Sequence, residues 1–317
     1  MGYVSALVGA LLFGANGSLT KLLIEGGLTA TQITQFRTLG TAFIAALILL
    51  ATDRRAFRLT PRQLGVMAIL GVAVAVLQSS YAAAIGLLPV GIALLLEYVA
   101  VLLVAVVAFF VFRERVKGRL WIAIGLVLLG LVAVARPWEA RLDPLGVVLA
   151  LVAAVSLAAY FLIGERQVAR TSPLAVAFWT TLLAGLVWLP FSGWWELDGS
   201  TFTAALDVGG QWGSGSLPLG LALAVTIVAG SFLPFLLSFT ALKHLTATAA
   251  GVVASSEVVF AFAVAWVWLG ESLDAFGLVG AVIVLAGIVL AQTARATKTV
   301  VDAELVLPAE PGVGGRP

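Results

Sequence analysis

Long apolar stretches constrain this chain more than any other feature. Ten can be marked, each of about 18–24 residues: approximately 4–24, 31–51, 64–86, 90–112, 119–136, 144–164, 173–191, 217–240, 246–269 and 274–292. A helix of roughly 20 apolar residues crosses the ~30 Å hydrocarbon core of a bilayer. The stretches are rich in Leu and Ala, and they lack the alternation over about ten residues that a barrel strand needs. Hydrophobic residues make up 62% of the chain and charged residues 11%, with mean hydropathy +1.12. A soluble domain averages about 25% charged residues and could not hide this much apolar surface. The expectation is an all-α integral membrane protein with ten transmembrane helices, whose first partner is the lipid bilayer.

Several function classes fall away. The formal net charge is only +2, so nucleic-acid binding is not indicated. There is no cysteine and one histidine, His244, which leaves no thiolate chemistry and no multi-histidine metal site. HExxH, GxSxG and paired intramembrane aspartates are all missing, so no catalytic residue, metal or cofactor is expected. The start, MGYVSA, has no basic region before the first apolar stretch and carries Ala6 where a myristoylation signal wants Ser or Thr. It reads as the beginning of a retained helix.

The chain repeats itself. Residues 84–114 hold a long apolar run with Glu97 inside it, and residues 241–271 hold another with Glu257 inside it. A shift of about 157 positions superposes Ala84 on Ala241, Leu88 on Leu245, Ala93 on Ala250, Glu114 on Glu271 and Gly130 on Gly287. The expected organisation is a first five-helix repeat over 1–140, a second over 141–294 and a disordered cytoplasmic tail over 295–317. Two repeats with an odd number of spans enter the membrane in opposite directions, which is the inverted plan of many secondary transporters.

Basic residues orient the bundle. Arg54, Arg55, Arg58 and Arg62 follow the second stretch; Arg113, Arg115, Lys117 and Arg119 follow the fourth; Arg166 and Arg170 follow the sixth; Lys243 follows the eighth. Arg295, Lys298 and Arg316 lie in the tail, whereas the other side carries mainly Arg136 and Arg141. Positive residues stay in the cytoplasm, so both termini are expected inside a bacterial-type inner membrane. The link 192–216, with Trp194, Trp195 and Trp212, is then external and reads as an interfacial aromatic belt on a solvated loop, or as a lid.

On its motifs the chain resembles the ten-helix EamA-type branch of the drug/metabolite transporter superfamily. The matching pieces are FGANGSLTK (13–21), Arg37 in QFRTLG, AIGLLPVGIALLLEY (84–98), FRER (112–115), ALKHLTATAAG (241–251), WLGES (268–272) and the Gly-rich last stretch. GIALLLEY most resembles the threonine and homoserine exporters of that branch. The resemblance implies export of amino acids, other metabolites or drugs across the inner membrane. The family usually carries proline soon after the two glutamates, where this chain has Ala100 and Val258.

Charged groups deep in a bilayer are costly and normally face a protein interior or a wet cavity. At ~1.5 Å per residue, Arg37 and Glu97 share a layer roughly 10 Å below the outer edge. Asn16 and Gln78 reach nearly the same layer from the inside, with Tyr81 one turn further out. Asn16, Arg37, Gln78, Tyr81 and Glu97 are therefore candidate substrate-binding residues. Either Arg37 and Glu97 form a structural ion pair, or they receive the two ends of a zwitterion. Glu257 lies near the midplane beside Ser255 and Ser256. It is either a neutral, hydrogen-bonded acid or, with Glu97, a candidate for proton coupling. Trp179, Phe232, Phe235, Ser255 and Ser256 are possible cavity lining in the second half. The leading expectation is export of a small-molecule solute, an amino acid first, with protons as a possible co-substrate. Efflux of cationic drugs and a non-transporting scaffold or lipid-handling protein are the alternatives, and no motif sets the oligomeric state.

Overall fold

The structure, a computed structural model, describes residues 1–85, 87–88, 90–111, 118–135, 138, 142–209, 215–269 and 275–293. Arg113, Glu114, Arg115, Lys117, Arg136, Arg141, Trp212, Glu271 and the tail from Ala294 onward lie outside the described residues. The elements are α1 (Gly2–Glu25), α2 (Ala30–Thr52), α3 (Pro61–Ile85), α4 (Val90–Tyr98), α5 (Ala100–Phe110), α6 (Gly118–Ala135), α7 (Pro144–Val168) and α8 (Pro173–Trp188). After a short hairpin of β1 (Ala205–Asp207) and β2 (Ser216–Pro218) come α9 (Leu219–Ile227), α10 (Leu233–His244), α11 (Ala247–Ala254), α12 (Ser256–Val264) and α13 (Ala275–Thr293). Among the described residues, six helical runs are long and apolar enough to cross a membrane: α1, α2, α3, α7, Leu219–His244 and Ala247–Trp268. Shorter apolar helices run over Leu96–Phe110, Gly118–Ala133, Pro173–Trp188 and Ala275–Leu290.

Local sequence explains where the helices begin. Thr29 and Gln32 form a reciprocal capping box ahead of α2. Asp143 accepts from the N–H groups of Leu145 and Gly146 at 2.8 and 3.0 Å, with Pro144 at the first helical position, and Ser172 with Pro173 repeats the device at α8. Apolar surface then decides the packing. α3 lies along α7, α2 along α8, α6 along α13, and α1 between α10 and α12. The α6–α13 approach is backbone to backbone. A Cβ on Gly130 would stand 2.7 Å from the Gly280 carbonyl oxygen, and one on Gly287 would stand 2.9 Å from that of Ala123.

The link after α8 is more ordered than the solvated loop read from its composition. Two 3-10 turns, Trp194–Glu196 and Gly199–Thr203, precede the β1–β2 hairpin. Asp198 accepts from the Ser200 hydroxyl and backbone, bonds that hold its carboxyl below the usual carboxylate range. Trp194 and Trp195 are exposed, as an interfacial belt requires. Leu206 instead points into an apolar cluster with Leu23, Leu28, Ile33 and Leu219, which seats the hairpin on the end of the bundle opposite Arg54 and Arg55. Ser192 and Gln35 are hydrogen-bonded beneath it, and the Trp268 indole donates to the Val208 carbonyl at 2.9 Å. Alternation of two or three residues is too short a signal for a strand, so the hairpin was not legible beforehand. Leu206→Ala is expected to lower stability by about 2 kcal/mol, the low end for a buried leucine. A thermal melt of the purified protein checks it, and an unchanged midpoint would mean that the hairpin does not pack there.

Candidate functional site

Two helices are interrupted beside the two glutamates. α4 stops at Tyr98 and α5 resumes at Ala100, with Val99 between them and the Val99 N–H reaching Leu96 at 3.3 Å. α11 stops at Ala254 and α12 resumes at Ser256, with the Val258 N–H reaching Ser255 at 3.3 Å. Both are tight turns made without proline. At the second, the Ser255 and Ser256 hydroxyls donate to the Val252 and Val253 carbonyls at 2.6 and 2.7 Å. Side-chain bonds of this kind compete with the helical ladder and bend it. The two interruptions touch: the Tyr98 hydroxyl lies 2.7 Å from a Glu257 carboxylate oxygen, to which it donates, and 3.0 Å from the Ala254 carbonyl oxygen.

Arg37 of α2 forms the opposite wall. Its Nη2 donates to the Gly230 carbonyl at 2.9 Å. With the Asn16 amide oxygen turned to face it, both terminal nitrogens also donate to Asn16 at 3.1 Å. The Gly230 carbonyl is available for a sequence reason. Pro234, four residues on, has no N–H to give it, and the helix there relaxes into a π turn over Val228–Phe232. A Cβ at 230 would collide with the Asn16 amide, which packs directly on Gly230. Thr41 and Ser231 bond at 3.0 Å one turn below. The charge of Arg37 interacts with that of Glu257, which α1 holds close by packing Gly14 on its backbone. Arg37 and Glu97 make no ion pair; the Arg37 guanidinium is bonded to the Gly230 carbonyl and Asn16 instead, with Glu257 in reach of its charge.

Gln78 and Tyr81 lie on one face of α3 at a spacing of three. Tyr81 interacts with the charge of Glu97, and more weakly with that of Glu257. Oε2 of Glu97 and both amide atoms of Gln78 have no hydrogen-bond partner among the described residues. Arg37, Gln78, Tyr81, Glu97 and Glu257 are all partly buried and keep some accessible surface.

The remaining candidates are distributed more widely. Trp179 donates its indole N–H to Ala56 at 2.9 Å and packs with Phe57 and Phe178 at the arginine-bearing end, away from the glutamates. Phe232 is buried in that same cluster. Phe235 meets Phe13 edge-on at 5.5 Å and lies beside Tyr160, whose hydroxyl donates to Ser238 at 2.8 Å. Ser255 and Ser256 are fully buried on their own helix and offer nothing to a cleft. Tyr98 and Gly230 were not singled out by sequence. The signal for Gly230 was present in the four-residue spacing to Pro234, whereas Tyr98 looked like one more apolar-span aromatic.

Comparison with known proteins bears on what this arrangement serves. The EamA-like transporter family matches the chain twice, over residues 1–136 and 144–293. The threonine/homoserine exporter RhtA of Escherichia coli (strain K12) is 29% identical over 213 residues, 67% of this chain and 64% of that protein. RhtA of Salmonella typhimurium (strain SL1344) is 30% identical over 186 residues, 58% of this chain and 56% of that one. The matched stretch thus spans less than two thirds of either exporter. An uncharacterized transporter of Archaeoglobus fulgidus is 28% identical over 67% of this chain and 71% of its own length. A crystal structure at 18% identity superposes with a TM-score of 0.72, covering 92% of this chain and 96% of the other, so the fold is shared. With its two family matches and its long apolar helices, the chain belongs to the EamA-like transporter family, multi-pass membrane proteins of the drug/metabolite transporter superfamily.

Proposed function

We propose that this protein is a secondary transporter that exports a small amphipathic metabolite, an amino acid first, by alternating access between two five-helix halves of opposite orientation. Both termini lie in the cytoplasm, and Glu97 or Glu257 carries a coupled proton. The observation that carries the reading is the meeting of the two interrupted helices, one from each half, at Tyr98 and Glu257, with Arg37 opposite. Transporters place solute sites at such interruptions near the midplane, where unwound backbone and costly charges face a cavity. The helix pairing supports two related halves. α2 lies on its counterpart α8 and α6 on α13, while α3 on α7 mirrors α10 on α1. The names of the exporters support the direction of transport and the amino-acid class.

Efflux of small organic cations is the second reading, favoured by the presence of two carboxylates, Glu97 and Glu257, against one guanidinium. Proteoliposome flux with labelled threonine, homoserine and a cationic dye separates the two, and no flux of any of them would leave a non-transporting role. Glu97→Gln is expected to abolish export while the protein still inserts and purifies. Efflux at the wild-type rate from that variant would remove Glu97 from the mechanism. Flux unaffected by collapse of the proton gradient would remove proton coupling.

A further inference from the structure

Which part of a solute this site reads follows from which polar groups are already engaged. A guanidinium grips a carboxylate through one of two forks, the end-on pair Nη1 and Nη2 or the side-on pair Nη2 and Nε. In Arg37 the end-on fork is taken by Asn16, and the Nη2 arm of the side-on fork is taken by the Gly230 carbonyl. Two N–H groups are left, the Nε–H and the second N–H of Nη1, and they lie on opposite edges of the guanidinium and form no fork. Arg37 thus ties α1, α2 and the π turn together and faces Glu257, and it has no fork to offer a solute. Glu257 is likewise occupied by the Tyr98 hydroxyl.

The unengaged groups lie elsewhere and are mostly acceptors. They are Oε1 of Gln78 and Oε2 of Glu97, with the Tyr81 hydroxyl between the two residues in sequence and in reach of the Glu97 charge. A buried polar atom without a partner costs about 1–3 kcal/mol, so this cluster is unfavourable unless something that donates hydrogen bonds sits against it. A primary ammonium carries three N–H donors and no acceptor, and its charge offsets that of Glu97. The Nε2 of Gln78 is an unengaged donor beside these acceptors and can meet a neighbouring hydroxyl or carbonyl oxygen.

Resting on the transporter reading above, we propose that Gln78, Tyr81 and Glu97 form an ammonium subsite, and that the protein selects primary amines without reading a carboxylate. Its substrate class then includes amino alcohols and other decarboxylated or reduced relatives of amino acids. Arg37 serves as a positioning residue that holds the two halves in register.

The test uses the intact protein in liposomes. Counterflow of labelled threonine is competed with threoninol, in which a hydroxymethyl group replaces the carboxylate, and with N-acetylthreonine, in which the ammonium is lost. Threoninol is expected to compete within about threefold of threonine and N-acetylthreonine about fiftyfold more weakly or worse. Gln78→Leu and Gln78→Glu, checked for a retained melting profile, separate shape from hydrogen bonding. The leucine variant loses about tenfold in apparent affinity and the glutamate variant keeps amine binding. Threoninol about thirtyfold weaker than threonine, or N-acetylthreonine equal to it, would overturn the assignment and leave the transporter reading standing. A melting shift from every probe alike, with none dependent on Gln78, would mean that the cluster is merely hydrated, and would also overturn it. If threonine shows neither counterflow nor a melting shift, the transporter reading fails and this assignment falls with it.

Discussion

Arg37→Met is expected to lower stability by about 3 kcal/mol and to remove all measurable transport. The substitution strips the donor from the Gly230 carbonyl and from Asn16, and it leaves Glu257 facing no positive charge inside the bundle. Leaving a buried acceptor unpaired costs about 1–3 kcal/mol, two acceptors lose their donor here, and the lost attraction to Glu257 adds to that. The total stays near ~3 kcal/mol because Glu257 keeps the Tyr98 hydroxyl and some accessible surface. Adding Glu257→Gln to Arg37→Met is expected to restore about half of the lost stability and none of the transport, since the stranded charge is gone but the contact between halves is not rebuilt. Thermal melts of the two single variants and the double variant, with flux of each in liposomes, measure this directly. Strict additivity of the two melting shifts would mean that the two side chains do not sense one another.

Gly230→Ala has the second largest expected effect for so small a chemical change, about 3 kcal/mol. An added methyl would collide with the Asn16 amide. Asn16 cannot turn away without releasing Arg37, so the clash is relieved only by moving α1 or by breaking the node. Overpacking at a site that cannot give costs about 1–3 kcal/mol, and loss of charge-assisted hydrogen bonds adds to it. The matching control is Asn16→Ala together with Gly230→Ala. The double variant is expected to melt above Gly230→Ala alone, because the collision is gone, while transport stays lost. A Gly230→Ala protein that melts and transports like the wild type would show that α1 does not pack on the π turn.

The helix interruptions show where reading the sequence stopped short. Without proline at Ala100 and Val258 there is no local signal for a break after Glu97 or near Glu257. The breaks form because Ser255 and Ser256 turn their hydroxyls onto backbone carbonyls, and because Tyr98 is drawn across to Ala254 and Glu257. Neither cause is visible without knowing which helices are neighbours. Depth along each span can be read from the sequence, since rise per residue is constant, and that reading puts Asn16, Arg37, Gln78 and Glu97 near one layer with Tyr81 one turn further out. Rotation about each helix axis cannot. That is why Arg37 was matched with Glu97 from depth, whereas its partners are Asn16, the Gly230 carbonyl and the Glu257 charge. Trp179 and Phe232 are expected as possible cavity lining for the same reason; Trp179 instead bonds Ala56 at the arginine-bearing end, and Phe232 is buried in a cluster with α2 and α8 side chains.

What the residues determined alone is the helical, membrane-embedded character of the chain and the internal echo of its two family matches. Both follow from runs of apolar side chains and from periodic spacing, which are properties of consecutive positions. What the tertiary structure decided is the partner of each costly polar group. A buried arginine, amide or carboxylate must be satisfied by whichever helix comes to lie beside it, and for Arg37 the accepting Gly230 carbonyl stands 193 residues away along the chain.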